Sequence, residues 1–288
     1  MTNRLPRFLR YSLAATLPAL GLLIGGLSSP AEASTHPSAA AQAAALAKAA
    51  IRQLMIGQHA TDHRMPGYSR HEISGLTSVQ STNWSGYADT GSGFSKVAAS
   101  WTEPSATCSS RTTSLAAFWV GIDGYTSSSV EQDGTLIECY RRTAYQFTWW
   151  EMYPTNAIQV VGQTLAAGDS ITASVVRSGT SYTLAVTDST HSANSFTTTQ
   201  SCSSCANTSA EWIAEAPSGS SGVYPLAQFS PSWMDSNSTV TEGSTSGTIS
   251  SFTDDEITMI DNSGAVKAQP SALNSGGNGF SVTWEKAS

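Results

Sequence analysis

The stretch DSITASVVRSGTSYTLAVTD, residues 169–188, contains two runs of alternating apolar and polar side chains, one on each side of Ser178 and Gly179. Alternation with a period of two is typical of a half-buried strand, and small turn residues between two such runs predict a β-hairpin. From Ser81 onward the chain continues with short segments rich in Val, Ile, Thr, Trp and Tyr, separated by Gly, Ser, Asn and Asp. Strands do not alternate with helices, so the pattern predicts an all-β fold, an antiparallel β-sandwich or barrel.

The first 33 residues have the features of a secretory signal peptide. Three arginines within residues 1–10 precede an apolar run over about 11–27, and the small residues of Ala31-Glu32-Ala33 follow. A membrane anchor is the alternative, but Ser, Thr and Pro interrupt this run, and it is short for a bilayer span. We therefore predict cleavage after Ala33, a secreted extracellular protein, and no membrane association after that cleavage.

Residues 34–78 are predicted to form a propeptide that precedes a β domain at 79–288. Within it, the Ala-rich residues 39–57 carry apolar side chains on one helical stripe and predict a helix, and turn-forming residues over 58–75 predict a linker.

The charge of the chain is divided unevenly between these two parts. Only 12% of the 288 residues are charged, and residues 81–288 contain seven Lys or Arg against eighteen Asp or Glu. An acidic domain makes nucleic acid an improbable partner. Residues 34–80 contain four basic side chains against two acidic ones, and four of the five histidines. This contrast predicts that the propeptide binds the acidic domain and inhibits it.

Four cysteines fit an oxidising compartment. Cys202 and Cys205 could close a small loop, and Cys108 could pair with Cys139, although four cysteines allow three connectivities. A zinc site is the competing interpretation of Cys202-x-x-Cys205, but no second pair of cysteines or histidines at ligand spacing accompanies it. We expect neither a metal nor a cofactor.

Strand alternation places carboxylates beside large aromatic rings. A solvated sheet face normally carries Lys, Thr and Ser, so a face that mixes rings with acids indicates a cleft. Three strands show this mixture, with the following residues sharing a face in each: Trp149, Glu151 and Tyr153; Trp119, Gly121 and Asp123; Glu211, Ile213 and Glu215.

The residue types in this domain limit the chemistry. His191 is its only histidine and lies in DSTHSAN, a stretch of small polar residues, so a Ser-His-Asp triad is improbable. Glu211 and Glu215 form a candidate pair for glycoside hydrolysis. A regular strand separates them by about 13 Å, beyond the roughly 5 to 9.5 Å that this chemistry needs, unless a bulge shortens the distance. A carbohydrate-binding or glycoside-hydrolysing β-sandwich is therefore the alternative.

Five motifs carry a family resemblance. In chain order, the sequence resembles the glutamic peptidases, also called eqolisins, in NWSGY (83–87), FWVGIDG (118–124), VEQDG (130–134), WWEMYP (149–154) and AEWIAEAP (210–217). The resemblance implies a β-sandwich endopeptidase that acts in acid on polypeptides, is made as a secreted precursor and uses a Gln and a Glu. We also expect it to act as a monomer.

The resemblance assigns the catalytic glutamine to Gln132 and the catalytic glutamate to Glu215. Glu131, which precedes the glutamine, occupies a position that is apolar in the fungal members. The positions implied to line the substrate cleft are Trp84, Trp119, Asp123, Gly124, Trp149, Glu151 and Tyr153.

Overall fold

The computed structural model describes residues 69–73, 76–109, 112–219, 222–234 and 237–288. This part of the chain contains β-strands and two 3₁₀ turns, Ser192–Asn194 and Ile249–Ser251. No helix within these residues is long and apolar enough to cross a membrane. The strands are, in chain order, β1 (Ser69–Ile73), β2 (Leu76–Ser81), β3 (Trp84–Thr90), β4 (Phe94–Thr102), β5 (Ala106–Thr107), β6 (Ser114–Asp123), β7 (Val130–Tyr140), β8 (Thr143–Tyr153), β9 (Asn156–Val160), β10 (Ser170–Ser178), β11 (Ser181–Asp188), β12 (Phe196–Ser201), β13 (Ser209–Glu215), β14 (Ser218–Gly219), β15 (Gly222–Val223), β16 (Gln228–Phe229), β17 (Ser232–Met234), β18 (Thr239–Glu242), β19 (Thr245–Gly247), β20 (Thr253–Ile260), β21 (Val266–Pro270) and β22 (Phe280–Trp284).

Two sheets dominate this architecture. The large sheet has the order β17-β22-β21-β20-β3-β13-β6-β7-β8-β9, and β2 joins it by parallel pairing with β20. The small sheet has the order β12-β11-β10-β4-β18-β19. Apart from the β2–β20 pair, the ladders between these strands are antiparallel, so the predicted all-β antiparallel sandwich is confirmed.

The predicted hairpin forms the centre of the small sheet. β10 and β11 pair from Ile171 with Asp188 to Ser178 with Ser181, and Gly179 in the turn has a φ of 63°, which glycine adopts without strain. Alternate side chains of this hairpin enter the main core, where they pack against alternate residues of the large sheet. Buried members of this core include Ile171, Ala173, Val175, Leu184 and Val186 from the small sheet and Phe118, Val120, Ile122, Trp212 and Ala214 from the large one.

Two disulfides brace the sandwich. Cys108 is bonded to Cys139 at the end of β7, and Cys202 is bonded to Cys205 in the connection between β12 and β13. Both pairs were among the possible connectivities. Because the second pair is oxidised, its thiolates are not available as zinc ligands.

The N-terminal predictions are only partly within the described residues. The signal peptide at 1–33 and the helix at 39–57 lie outside them. Part of the predicted linker forms strand β1, which pairs with β2, and the predicted start of the β domain at residue 79 falls inside β2. The linker prediction was therefore wrong for residues 69–73, because pairing with a neighbouring strand orders a segment that has no apolar periodicity of its own.

Candidate active site

Alternation along the central strands gives the large sheet two different faces. In β6, Phe118 and Val120 enter the core between the sheets, whereas Ala117 and Trp119 belong to a second buried cluster on the opposite side. We call this opposite side the outer face. Three tryptophans lie on it, Trp84 of β3, Trp119 of β6 and Trp149 of β8, all fully buried; β13 contributes Ile213.

Gln132 lies in the middle of the outer face. In the sheet register it is opposite Gly121 of β6 on one side and Glu151 of β8 on the other. Its amide Nε2 donates a hydrogen bond of 2.8 Å to Oε2 of Glu151, which fixes the orientation of the amide. Its Oε1 is buried and accepts no hydrogen bond from any residue that the structure describes. One N–H and the carbonyl oxygen of Gln132 are thus left for another group.

Gly121 makes room for this arrangement. A Cβ at this position would lie 2.8 Å from a ring carbon of Trp119 and 3.2 Å from Cβ of Gln132. Glycine inside a buried strand often marks a close approach of this kind. Gly121 therefore allows the Trp119 ring to lie along its own strand beside the glutamine.

Glu215 is the last residue of β13 and is fully buried on the outer face, where it is in register with Trp84 and Ala117. The indole Nε1 of Trp119 donates a hydrogen bond of 2.8 Å to its Oε2. The amide Nδ2 of Asn83 approaches its Oε1 at 3.4 Å. Each oxygen of this buried carboxyl group therefore faces a hydrogen-bond donor.

Aromatic rings surround these two polar side chains. The rings of Trp84 and Trp119 are edge-to-face, with centroids 5.0 Å apart. Gly124, at a φ of 98°, lies against Trp84, and a Cβ there would be 3.3 Å from its ring. Trp149 belongs to the same buried cluster, and Tyr153, at the end of β8, is partly exposed. The predicted cleft residues on β3, β6 and β8 are therefore brought together.

Asp123 has a different set of contacts from the other predicted cleft residues. It has a φ of 72°, and this left-handed turn ends the regular alternation of β6. Its carboxylate accepts hydrogen bonds from the backbone N–H groups of Asn207, at 2.7 Å, and Thr208, at 2.9 Å, and from the hydroxyl of Ser129, at 3.3 Å. Asp123 thus ties the turn after β6 to the segment that leads into β13.

Residues 82–284 match the sequence model of the Peptidase A4 family. The chain belongs to this family. Aspergillopepsin-2 of Aspergillus niger is 26% identical over 253 residues, which cover 79% of this chain and 87% of that protein. Scytalidopepsin B of Scytalidium lignicola is 32% identical over 200 residues, which cover 66% of this chain and 74% of that protein. The family resemblance of the five motifs is confirmed, and the peptidase is a glutamic endopeptidase, a hydrolase.

Solved structures of peptidases agree with this membership. Scytalido-glutamic peptidase in complex with a peptide-based transition-state analog has a TM-score of 0.60 and 26% identity, over 71% of this chain and 98% of that one. Aspergilloglutamic peptidase from Aspergillus niger has a TM-score of 0.52 and 27% identity, over 59% of this chain and 99% of that one.

Several buried carboxyl groups of the peptidase are held neutral in acid. Burial, reinforced by the nearby Asp123 carboxylate, raises the pKa of Glu131 to about 9. Burial also raises the pKa of Glu211 well above its ordinary value, and the charges of Asp123, Glu131 and Asp89 add to the effect. Glu131 and Gln132 are adjacent in β7 and so point to opposite faces of the sheet. Gln132 is therefore the one on the outer face.

The geometry of β13 does not favour the alternative of a Glu211 and Glu215 pair for glycoside hydrolysis. This strand pairs with both β3 and β6 from Ala210 to Glu215 without a register shift, so no bulge shortens the distance between the two carboxyl groups.

Sequence reasoning assigned no role to three residues of this region. Asn83 directly precedes Trp84 in the first motif. Gly121 lies inside a predicted buried strand, and an isolated glycine at such a position could have indicated a close approach of neighbouring side chains. Tyr125 follows the Asp123-Gly124 turn and is buried on the outer face, where its hydroxyl donates a hydrogen bond of 2.6 Å to Asp255 of β20. No local pattern in the sequence indicates that contact.

Proposed function

We propose that the chain is a secreted peptidase that acts in acid, with Glu215 as the general base and Gln132 as the group that stabilises the oxyanion. The observation that carries this proposal is that both side chains lie on one buried face of one sheet. A second residue orients each of them, Trp119 for the carboxylate and Glu151 for the amide. The rings of Trp84, Trp119 and Trp149 would bind apolar parts of an extended polypeptide.

The reaction begins with a water molecule between Glu215 and the scissile carbonyl carbon. Glu215 removes a proton from the water as its oxygen bonds to that carbon. The carbonyl oxygen becomes an oxyanion, which accepts a hydrogen bond from the N–H of Gln132 that Glu151 does not hold. The tetrahedral intermediate then collapses, the C–N bond breaks, and the proton on Glu215 passes to the leaving nitrogen. The products are a carboxylic acid and an amine, and Glu215 is again ionised.

Acid conditions leave the proposed oxyanion donor unchanged. A glutamine amide does not titrate in this range, so Gln132 keeps its hydrogen-bonding groups as the pH falls. His191, by contrast, has a side chain that is 53% exposed and contacts Asp169 through Nδ1 at 2.8 Å. His191 therefore contacts the segment that leads into β10, and not Gln132 or Glu215.

The remaining parts of the proposal concern the form of the protein. Signal cleavage after Ala33 releases a monomer, and residues 34–78 inhibit the peptidase until they are removed. The supporting observation is the excess of positive charge in that segment and of negative charge in the domain.

Substitution of the two proposed catalytic residues tests the mechanism. Glu215→Gln and Gln132→Ala should each abolish nearly all hydrolysis of an internally quenched peptide at acid pH, since loss of one oxyanion donor alone typically costs about 10² to 10³ in rate. Glu211→Gln is the matched control, because it changes a buried carboxyl group on the same strand and should have a much smaller effect. Substantial activity in folded Glu215→Gln would contradict the proposal.

A further inference from the structure

A chain of hydrogen bonds leads from the end of β2 to Glu215. The hydroxyl of Ser81 donates to Oδ1 of Asn83 at 3.0 Å, and Nδ2 of Asn83 points at Oε1 of Glu215 at 3.4 Å. Ser81 is 1% exposed and Asn83 is fully buried. The backbone carbonyl of Asn83 also accepts a hydrogen bond of 2.8 Å from the N–H of Ala216. Asn83 is thus held beside Glu215 by both its main chain and its side chain.

The hydroxyl of Ser81 determines which way the Asn83 amide faces. Its oxygen accepts hydrogen bonds from two backbone N–H groups, those of Asn83 at 3.3 Å and Trp84 at 3.1 Å. A serine hydroxyl has two acceptor lone pairs and one proton, so the remaining proton must go to Oδ1 of Asn83. The NH₂ side of the amide then has to face Glu215. An amide turned the other way would present an oxygen to the carboxylate and a third donor to the Ser81 hydroxyl.

We propose that Asn83 is a positioning residue that holds the carboxyl group of Glu215 in one orientation, and that Ser81 sets the orientation of Asn83. This inference rests on the proposed role of Glu215 as the base. It assigns a function to Asn83 and Ser81, to which the family resemblance assigned none. Trp119 donates to one oxygen of the carboxylate at 2.8 Å, and Asn83 faces the other. Together the two donors restrict rotation of the carboxyl group.

The same chain connects the base to the N-terminal strand. Ser81 is the last residue of β2 and is opposite Met259 in the parallel pairing with β20. The match to the family model begins at residue 82, so Ser81, where this series of hydrogen bonds begins, lies just outside the match. It follows that processing of the N-terminus must leave the end of β2 in place. Removal of Ser81 would free the amide of Asn83 to turn.

The pH dependence of kcat/KM distinguishes this role from a merely structural one. We compare the full chain with Asn83→Asp and Ser81→Ala, using an internally quenched peptide between pH 2 and pH 6. In Asn83→Asp a carboxyl group replaces the donor, so the acid limb of the profile should move up by about one pH unit, and kcat/KM on that limb should fall about tenfold. Ser81→Ala should move the limb in the same direction by less.

Asn194 provides a matched control. It is fully buried, and its Nδ2 donates to Oδ2 of Asp188 at 2.8 Å, away from the outer face. Asn194→Asp therefore makes the same chemical change beside another carboxylate, and it should lower the thermal midpoint without moving the acid limb.

Two results would overturn parts of the interpretation separately. If Glu215→Gln is inactive but the acid limbs of Asn83→Asp and Ser81→Ala coincide with that of the unchanged chain, the positioning role is wrong and the proposed function stands. If Glu215→Gln is active, the proposed function itself fails. If Asn83→Asp does not fold, Ser81→Ala alone tests the positioning role: an acid limb at higher pH than in the unchanged chain supports the role, and an unmoved limb contradicts it.

Discussion

Buried acids should make the stability of this peptidase fall steeply as pH rises towards neutrality. Burial raises the pKa of Glu131 and of Asp89 to about 9, and that of Glu103 to about 8, from ordinary values of 4.5, 3.8 and 4.5. Between these limits the folded chain keeps at least these three protons, which the unfolded chain has lost. A raised pKa in the folded state contributes stability that is complete below the ordinary value. That stability is lost as pH rises through the folded value.

The size of the effect follows from proton linkage. Each group lowers the free energy of unfolding by about 1.4 kcal/mol per pH unit, so three give about 4 kcal/mol per unit and about 8 kcal/mol between pH 5 and pH 7. A whole domain is typically stable by only about 5 to 15 kcal/mol. Burial acts to raise the pKa of Asp188, but hydrogen bonds, above all that from Asn194, outweigh it and lower the pKa from 3.8. Asp188 therefore changes its contribution to stability only below pH 3.8 and offsets nothing between pH 5 and pH 7.

Glu131→Gln tests this reasoning, because glutamine keeps the shape of the side chain but does not titrate. In a Glu215→Gln background, which should not digest itself, denaturant unfolding is followed by tryptophan fluorescence from pH 4 to pH 7. We expect the slope of stability against pH to decrease by about 1.4 kcal/mol per unit in Glu131→Gln. Glu285→Gln, which changes an exposed side chain, should leave it unchanged. A flat or rising profile for the parent, or equal slopes with and without Glu131, would refute the reasoning.

Three further predictions concern the site and the propeptide. Gly121→Ala places a methyl group 2.8 Å from the Trp119 ring. This substitution should lower the free energy of unfolding by about 1 to 3 kcal/mol and abolish most of the peptide hydrolysis. Unchanged stability and unchanged hydrolysis would exclude the close packing of Trp119 against Gly121. Trp119→Phe keeps a buried ring but removes the donor to Glu215, so kcat/KM should fall about tenfold in a peptide assay, whereas an unchanged value would show that the hydrogen bond has no role. A synthetic 34–78 peptide should inhibit the 79–288 domain at pH 5 to 6, where histidines with a pKa of about 6.5 are charged, and release it below about pH 4 as carboxylates protonate. Inhibition that strengthens below pH 4 would contradict an electrostatic contact.

Local patterns in the sequence were sufficient for the β10–β11 hairpin and for the two faces of β6, β8 and β13. The hairpin over residues 169–188 was predictable because alternation and a Ser-Gly turn are both local signals. The shared face of Trp119 and Gly121 also followed from alternation alone. Gln132 and Glu215 required the family resemblance, because nothing in the local sequence indicates that strands β7 and β13 are separated by β6 alone.

Contacts between distant segments could not be predicted. Asp123 satisfied the alternation rule as a cleft residue, but its left-handed backbone and its bonds to Asn207 and Thr208 depend on a segment more than 80 positions away. Strand β1 has no periodicity of its own and is ordered by β2. The donor from Asn83 to Glu215 was missed for the same reason.

The order of the central strands has a consequence for the synthesis of the chain. Asn83 and Glu215 are 132 positions apart, and they lie side by side because β3, which begins directly after Asn83, pairs with β13. The other edge of β3 pairs with β20, which is made later still. Pairings over such separations form late in folding, because closing a long loop precedes any gain from the contact. We therefore expect Asn83 and Glu215 to meet late in folding, after the polypeptide between them has been synthesised.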